Sequence, residues 1–115
     1  MAKECVFCNI VAGKVSANIL HQDDKVIAFR DITPQAPTHL LVIPKEHIPS
    51  LTELGAGRRE ILAHLISVAN KLAKSEGVAE KGYRLVMNCG REGGQVVPHL
   101  HLHLLGGRQL SGTMG

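Results

Sequence analysis

At 115 residues the chain suits one domain, spanning residues 1–115, and can bury roughly two-thirds of its unfolded surface in a single core. With 44% hydrophobic and 20% charged residues it is neither disordered nor fibrous. A net charge of +3 favours phosphates but falls far short of a nucleic-acid footprint, and two Phe, one Tyr and no Trp give no platform for stacked single-stranded bases. No apolar run approaches about 18 residues and no signal peptide opens the chain, so a soluble cytoplasmic protein without membrane association is expected. The three cysteines, an odd number, argue against a disulfide framework in a reducing compartment.

Residues 4–13 read as a short turn or helix ending at Gly13. Two short strands follow, Ile19 to Gln22 and Lys25 to Arg30, split by a polar Asp23-Asp24 turn. Two prolines make 31–37 a loop. The apolar run Thr38 to Ile43 fits a central strand that Pro44 stops. A helix is expected over about 57–76, where Ile61, Leu62, Leu65, Ile66, Ala69, Leu72 and Ala73 form an apolar stripe and Gly77 a C-terminal cap. His64 falls beside that stripe and reads as a structural or surface residue; His21 reads as surface. Gly82 to Asn88 is another strand, and Cys89 to Gln95 a glycine-rich turn in which Cys89 is a spectator thiol. One long helix, a short N-terminal helix and about five strands with short connections imply an α+β fold with an antiparallel sheet.

The stretch from Val97 to Leu105 alternates His and Leu, the two-residue period of a strand. Leu100, Leu102 and Leu104 then face one side, and His99, His101 and His103 the other. Residues two apart on a strand are about 6.6 Å apart, so the outer rings start about 13 Å apart. A zinc–nitrogen bond is about 2 Å, so one ion can hardly hold all three rings, and their tasks must be divided. Gly90, Gly93 and Gly94 let backbone N–H groups approach an anion, although a tight turn wants glycines equally. A neutral imidazole attacks phosphorus when one nitrogen is free and the other donates its proton to an acceptor. For His101 a backbone carbonyl in the same strand is a suitable acceptor.

The run His-Leu-His-Leu-His-Leu-Leu at 99–105 resembles the signature of the histidine triad family. So do the stretches 29–48, 82–95 and 99–109, which are similar to its nucleotide-binding, phosphoramidase-like Hint branch. That resemblance implies the histidine triad fold and a purine nucleoside phosphoramidase. Such an enzyme cleaves the P–N bond of adenosine or guanosine phosphoramidates, and of aminoacyl or lysyl adenylates, through a covalent nucleotidyl-histidine. His101 matches the nucleophile, His103 the phosphate contact and His39 the upstream partner in the hydrogen-bond network. Asp31 matches the ribose-binding carboxylate, Ile32 the apolar contact to the base, and Asn88, Gly94 and Gln95 the phosphate-side wall. No catalytic metal is implied. Val96 stands where animal members carry a serine, a lost hydroxyl worth roughly 0.5–1.5 kcal/mol that predicts altered leaving-group preference or a modest loss of rate. Family members pair as homodimers whose C-terminal segments shape each other's pockets; here that segment, 110–115, is short.

The resemblance also bears on the Cys-x-x-Cys of Cys5 and Cys8, which lacks two ligands of a closed tetrahedral zinc site. Zinc-binding members complete such a set with two histidines, one of them the first of the triad. The set that the resemblance implies here is Cys5, Cys8, His47 and His99, holding a structural zinc. Three rival readings are a dinucleoside polyphosphate hydrolase of the fragile-histidine type, a nucleotide-binding regulatory module with vestigial catalysis, and a metallohydrolase with catalytic zinc on the His-x-His pair. Gly106-Gly107-Arg108 and the short C-terminus favour the Hint branch over the first, and the intact His101, His39, Asp31 and Asn88 speak against the second.

Overall fold

The computed structural model describes residues 5–115. Glu4, where the N-terminal helix was expected to begin, lies outside the described residues. In chain order the elements are α1 (Val6–Val11), β1 (Ile19–Gln22), β2 (Val26–Arg30), β3 (Thr38–Pro44), two short 3-10 turns, α2 (Arg59–Ser75), β4 (Tyr83–Val86) and β5 (Leu102–Gly106). The strands form one antiparallel sheet in the order β1-β2-β3-β5-β4. The last strand therefore slots between the third and fourth, and its residues from His103 to Gly106 have a partner on both sides.

β2 and β3 read as continuous apolar runs because both of their faces are covered. Val26, Ala28, Leu40, Val42, Leu102 and Leu104 pack under α2, against Leu65, Val68, Ala69, Leu72 and Ala73. Ile27, Phe29, Leu41 and Ile43 face the other way and pack with Cys5, Phe7 and Ile10 at and within α1. The alternation of a strand then places His39 with Leu41 and Ile43, and His103 opposite Leu41. The histidine face of β5 is thus the α1 face, covered by a six-residue helix rather than by the long one.

α2 closes with paired bonds from Gly77 N–H to the Lys74 carbonyl and from Val78 N–H to the Ala73 carbonyl, a Schellman cap. Gly77 takes φ +77°, which a side chain would resist. The apolar stripe differs from expectation at one position. Ile66 is 41% exposed, while Val68 is buried. Ile66 sits roughly 100° around the helix from Leu65, at the margin of the stripe, whereas Val68 lies one turn along it.

The final strand is shorter than its alternation suggested, with ladder pairing only over Leu102–Gly106. Upstream the partner strand ends at Pro44, which has no N–H to give. The main chain of 97–101 bonds elsewhere: His99 N–H turns back to the Val97 carbonyl, and Leu100 N–H goes to the Ile48 carbonyl. His99 and His101 therefore lie on a buried extension of β5, outside the ladder.

Leu65→Ala should cost about 2–5 kcal/mol in chemical denaturation, as expected for a fully buried leucine, whereas Ile66→Ala should cost under about 1 kcal/mol. Equal losses would contradict this packing of α2.

Candidate active site and metal centre

The three strand histidines make three different sets of bonds. His99 is fully buried and donates from Nε2 to the Pro44 carbonyl at 2.9 Å. That bond leaves the Nδ1 lone pair for its other neighbours, Cys5 Sγ at 3.3 Å, Cys8 Sγ at 3.5 Å and His47 Nδ1 at 3.2 Å. Cys8 Sγ is 3.1 Å from His47 Nδ1. Cys5 begins α1 and its Sγ accepts the Cys8 N–H, so the two thiols sit one turn apart on the same side.

Four donor atoms from three parts of the chain thus gather within 4.8 Å of one another. Zinc–sulfur bonds of about 2.3 Å and zinc–nitrogen bonds of about 2.0–2.1 Å at tetrahedral angles put nitrogen donors about 3.3 Å apart, and sulfur and nitrogen about 3.5 Å apart. The observed spacings fit, and the set can hold a metal ion. Burial, together with the neighbouring Cys5, pushes the Cys8 thiol up to about 11, a resistance to a second thiolate that a cation would relieve. Burial also depresses the pKa of His99, despite its bond to the Pro44 carbonyl, and so keeps its lone pair available.

His101 has the opposite tautomer. Its Nδ1 donates to the His99 carbonyl at 2.7 Å, so Nε2 carries the lone pair. Phe7 meets the ring edge-on, with centroids 5.2 Å apart, and the same Phe7 touches His99. His101 belongs to none of the groupings of potential metal donors among the described residues.

His103 ends a relay. Gln35 N–H donates to His39 Nδ1 at 3.0 Å, which places the His39 proton on Nε2. That Nε2 lies 2.9 Å from His103 Nδ1, so the outer Nε2 of His103 carries the remaining proton. The Asp31 carboxylate is 3.4 Å from His39 Nε2, with its other oxygen accepting from Thr33 N–H and Oγ1. Arg108 grips the Gln35 carbonyl at 2.9 Å and fixes the start of the relay. Burial depresses the pKa of His39 against the pull of Asp31. Burial, then the neighbouring His101 and His39, bring His103 down to about 4. Along one stretch of chain, protons therefore sit on Nε2, Nδ1 and Nε2 of the three rings in turn.

The glycine turn uses two of its own N–H groups internally. Gly90 N–H is taken by Gln95 Oε1, and Gly94 N–H by the Arg91 carbonyl. The glycines serve the turn itself: a Cβ on Gly93 would collide with the Cys89 carbonyl oxygen. Asn88 donates to the Gly93 carbonyl, and Gln95 donates to the Pro49 and Val97 carbonyls, tying the turn to the histidine segment. Ile32 and Val96 are 94% and 88% exposed, two apolar side chains left to solvent. Phe7 and the carbonyl of Pro44 escaped sequence reasoning, whereas the His99 carbonyl is a same-strand acceptor of the kind expected for His101. Only the placement of Phe7 between the two cysteines hinted at its position.

Comparison with known proteins agrees with this geometry. Residues 12–110 match the model of the HIT domain. The chain belongs to the HIT domain family. It is 52% identical to the purine nucleoside phosphoramidase of Escherichia coli strain K12 over 110 residues, covering 96% of this chain and 92% of that protein. A HIT family hydrolase of Legionella pneumophila Philadelphia 1 superposes with a TM-score of 0.95 at 50% identity, covering 97% of this chain and all of that one (100%). A zinc-bound histidine triad family protein of Mycobacterium smegmatis superposes with a TM-score of 0.81 at 30% identity, covering 94% of this chain and 78% of that one. The five-stranded antiparallel sheet with one long helix is the HIT fold.

The depressed histidines imply a pH dependence with a definite sign. An unfolded imidazole titrates near 6.5, and folded His103 near 4. Between these values the unfolded chain binds a proton that the folded chain refuses. Stability should therefore be full above about pH 6.5 and fall as the pH drops towards 4, with His39 and His99 adding in the same direction. Denaturation midpoints measured across this range should fall with acid, less steeply in His103→Gln; a flat profile would contradict the burial of these rings.

Proposed function

We propose that this protein is a purine nucleoside phosphoramidase, hydrolysing nucleoside 5′-phosphoramidates through a covalent bond from His101 to phosphorus. The observation that carries the reading is the bond from His101 Nδ1 to the His99 carbonyl, which selects the tautomer whose lone pair is on Nε2. The 52% identity to the phosphoramidase of E. coli supports it.

In this mechanism His101 Nε2 attacks phosphorus as the P–N bond breaks, and the departing amine takes up a proton from solvent water. The ring becomes cationic, and its Nδ1–H bond to the His99 carbonyl strengthens as that charge develops. His103, with its proton on Nε2, donates to a phosphoryl oxygen. Its low pKa keeps it a neutral donor at physiological pH. His39 and Asp31 hold its tautomer, and Asp31 also faces the ribose hydroxyls. Ile32 and Val96 supply apolar surface to the base and the leaving-group side. Asn88, Gly94 and Gln95 shape the phosphate-side wall by bracing the turn. Water then attacks phosphorus, releases the nucleoside monophosphate and restores the neutral ring.

The set Cys5, Cys8, His47 and His99 holds zinc in this reading, with four protein ligands and no open position. Bound there, zinc supplies a structural clamp that fixes His99 and thereby its carbonyl. A homodimer is supported by β4, an edge strand whose four residues are all half-buried. A cytoplasmic setting is supported by three cysteines, none of them in a disulfide. No helix among the described residues is long and apolar enough to cross a membrane.

Mixing the protein with an adenosine phosphoramidate and quenching should give an intact-mass adduct of one nucleotidyl group. His101→Ala should show no adduct and lose on the order of 10⁴-fold or more in kcat. An adduct that persists in His101→Ala would refute the assignment. Zinc should be present at one equivalent through this set, fall in Cys5→Ser with Cys8→Ser, and take thermal stability with it.

A further inference from the structure

Two histidines that read as surface residues meet at a single carboxylate. His21 lies on edge strand β1, Asp23 in the turn to β2, and His64 on α2. His21 Nε2 is 2.7 Å, and His64 Nε2 2.8 Å, from the same oxygen, Asp23 Oδ2. The other oxygen, Oδ1, accepts the N–H groups of Lys25 at 2.8 Å and Val26 at 2.9 Å. Those backbone bonds fix the carboxylate without help from either ring. Burial opposes the Asp23 charge, but the bonds from His21, Lys25, His64 and Val26 outweigh it and hold the carboxyl well below the usual carboxylate range. A permanent anion therefore lies between two imidazoles brought from distant parts of the chain.

The three donor atoms lie within 4.8 Å of one another, and the side chains of His21, Asp23 and His64 are 19%, 31% and 42% exposed. Metal bonds of about 2.0–2.2 Å at tetrahedral angles put donors about 3.3 Å apart, so an ion could enter by widening the present contacts by roughly half an ångström. Each imidazole donates an Nε2–H hydrogen bond to the carboxylate when no ion is present and offers that nitrogen's lone pair to an ion, in the other tautomer, when one is. Two imidazoles and one carboxylate leave a position for water, the donor pattern of an open site for a borderline first-row cation. We propose that His21, Asp23 and His64 form a second divalent-cation site, distinct in place and in ligand chemistry from the cysteine-containing set. An ion there would cross-link edge strand β1 to α2, two elements with few other links.

Cobalt(II) separates the two sites by spectrum. Tag-free protein is loaded with zinc, washed free of loosely held ion, and titrated with cobalt in equilibrium dialysis and visible absorption. The expected result is one sub-millimolar equivalent of cobalt with weak ligand-field bands, no sulfur-to-cobalt charge transfer, and a raised melting temperature. Binding should weaken at least tenfold in His21→Ala and in His64→Gln. Glutamine retains an N–H for Asp23, so a merely structural role of His64 would survive that exchange. Absence of sub-millimolar cobalt binding, binding that is unchanged in both variants, or a signal confined to sulfur charge transfer would overturn the proposal. The last outcome would mean that cobalt had entered only the cysteine set.

Discussion

The carbonyl oxygen of His99, 2.7 Å from His101 Nδ1, decides which nitrogen of the reactive ring carries the proton. Imidazole in water exchanges freely between tautomers and titrates near neutrality. Here a backbone acceptor holds one tautomer, and the other nitrogen is left with its lone pair. The placement of that carbonyl depends in turn on the His99 side chain. One of its nitrogens is bound to the Pro44 carbonyl, and the other faces two sulfurs and His47. A single buried residue thus joins the metal-competent cluster to the candidate nucleophile.

The fold supplies what this arrangement needs. β5 lies between β3 and β4, so His103 is backed by ladder bonds on both sides and faces His39 across one of them. α1 is only six residues long, yet it brings Cys5, Phe7 and Cys8 over the histidine face. α2 covers the opposite face and carries the larger share of the core. The larger core and the chemistry therefore occupy opposite sides of one sheet. A substitution under α2 should act on folding, whereas one under α1 acts on both folding and the position of the rings.

Much of this was legible in the residues. Continuous apolar runs marked β2 and β3, the helical stripe and Gly77 marked α2, and alternation placed the histidines opposite the leucines. Local patterns failed where a distant partner decided the outcome. Alternation alone could not show that the ladder stops at Leu102, because the cause is Pro44 on the neighbouring strand. The glycine turn looked like a source of free donors, but the Gln95 side chain and the Arg91 carbonyl claim two of them. His21 and His64 are far apart in sequence, and although Asp23 lies two residues from His21, nothing in the sequence announced that His64 shares it. The protons on His99 and His103 were equally hidden, since a carbonyl and a ring nitrogen of β3 set them.

The most direct measurement is nitrogen-15 NMR of the histidine side chains in the folded protein near pH 7, assigned through His101→Gln. The account predicts that His101 shows a protonated Nδ1 and a bare Nε2, while His99 and His103 show the reverse. A protonated Nε2 on His101, or a cationic ring, would contradict it.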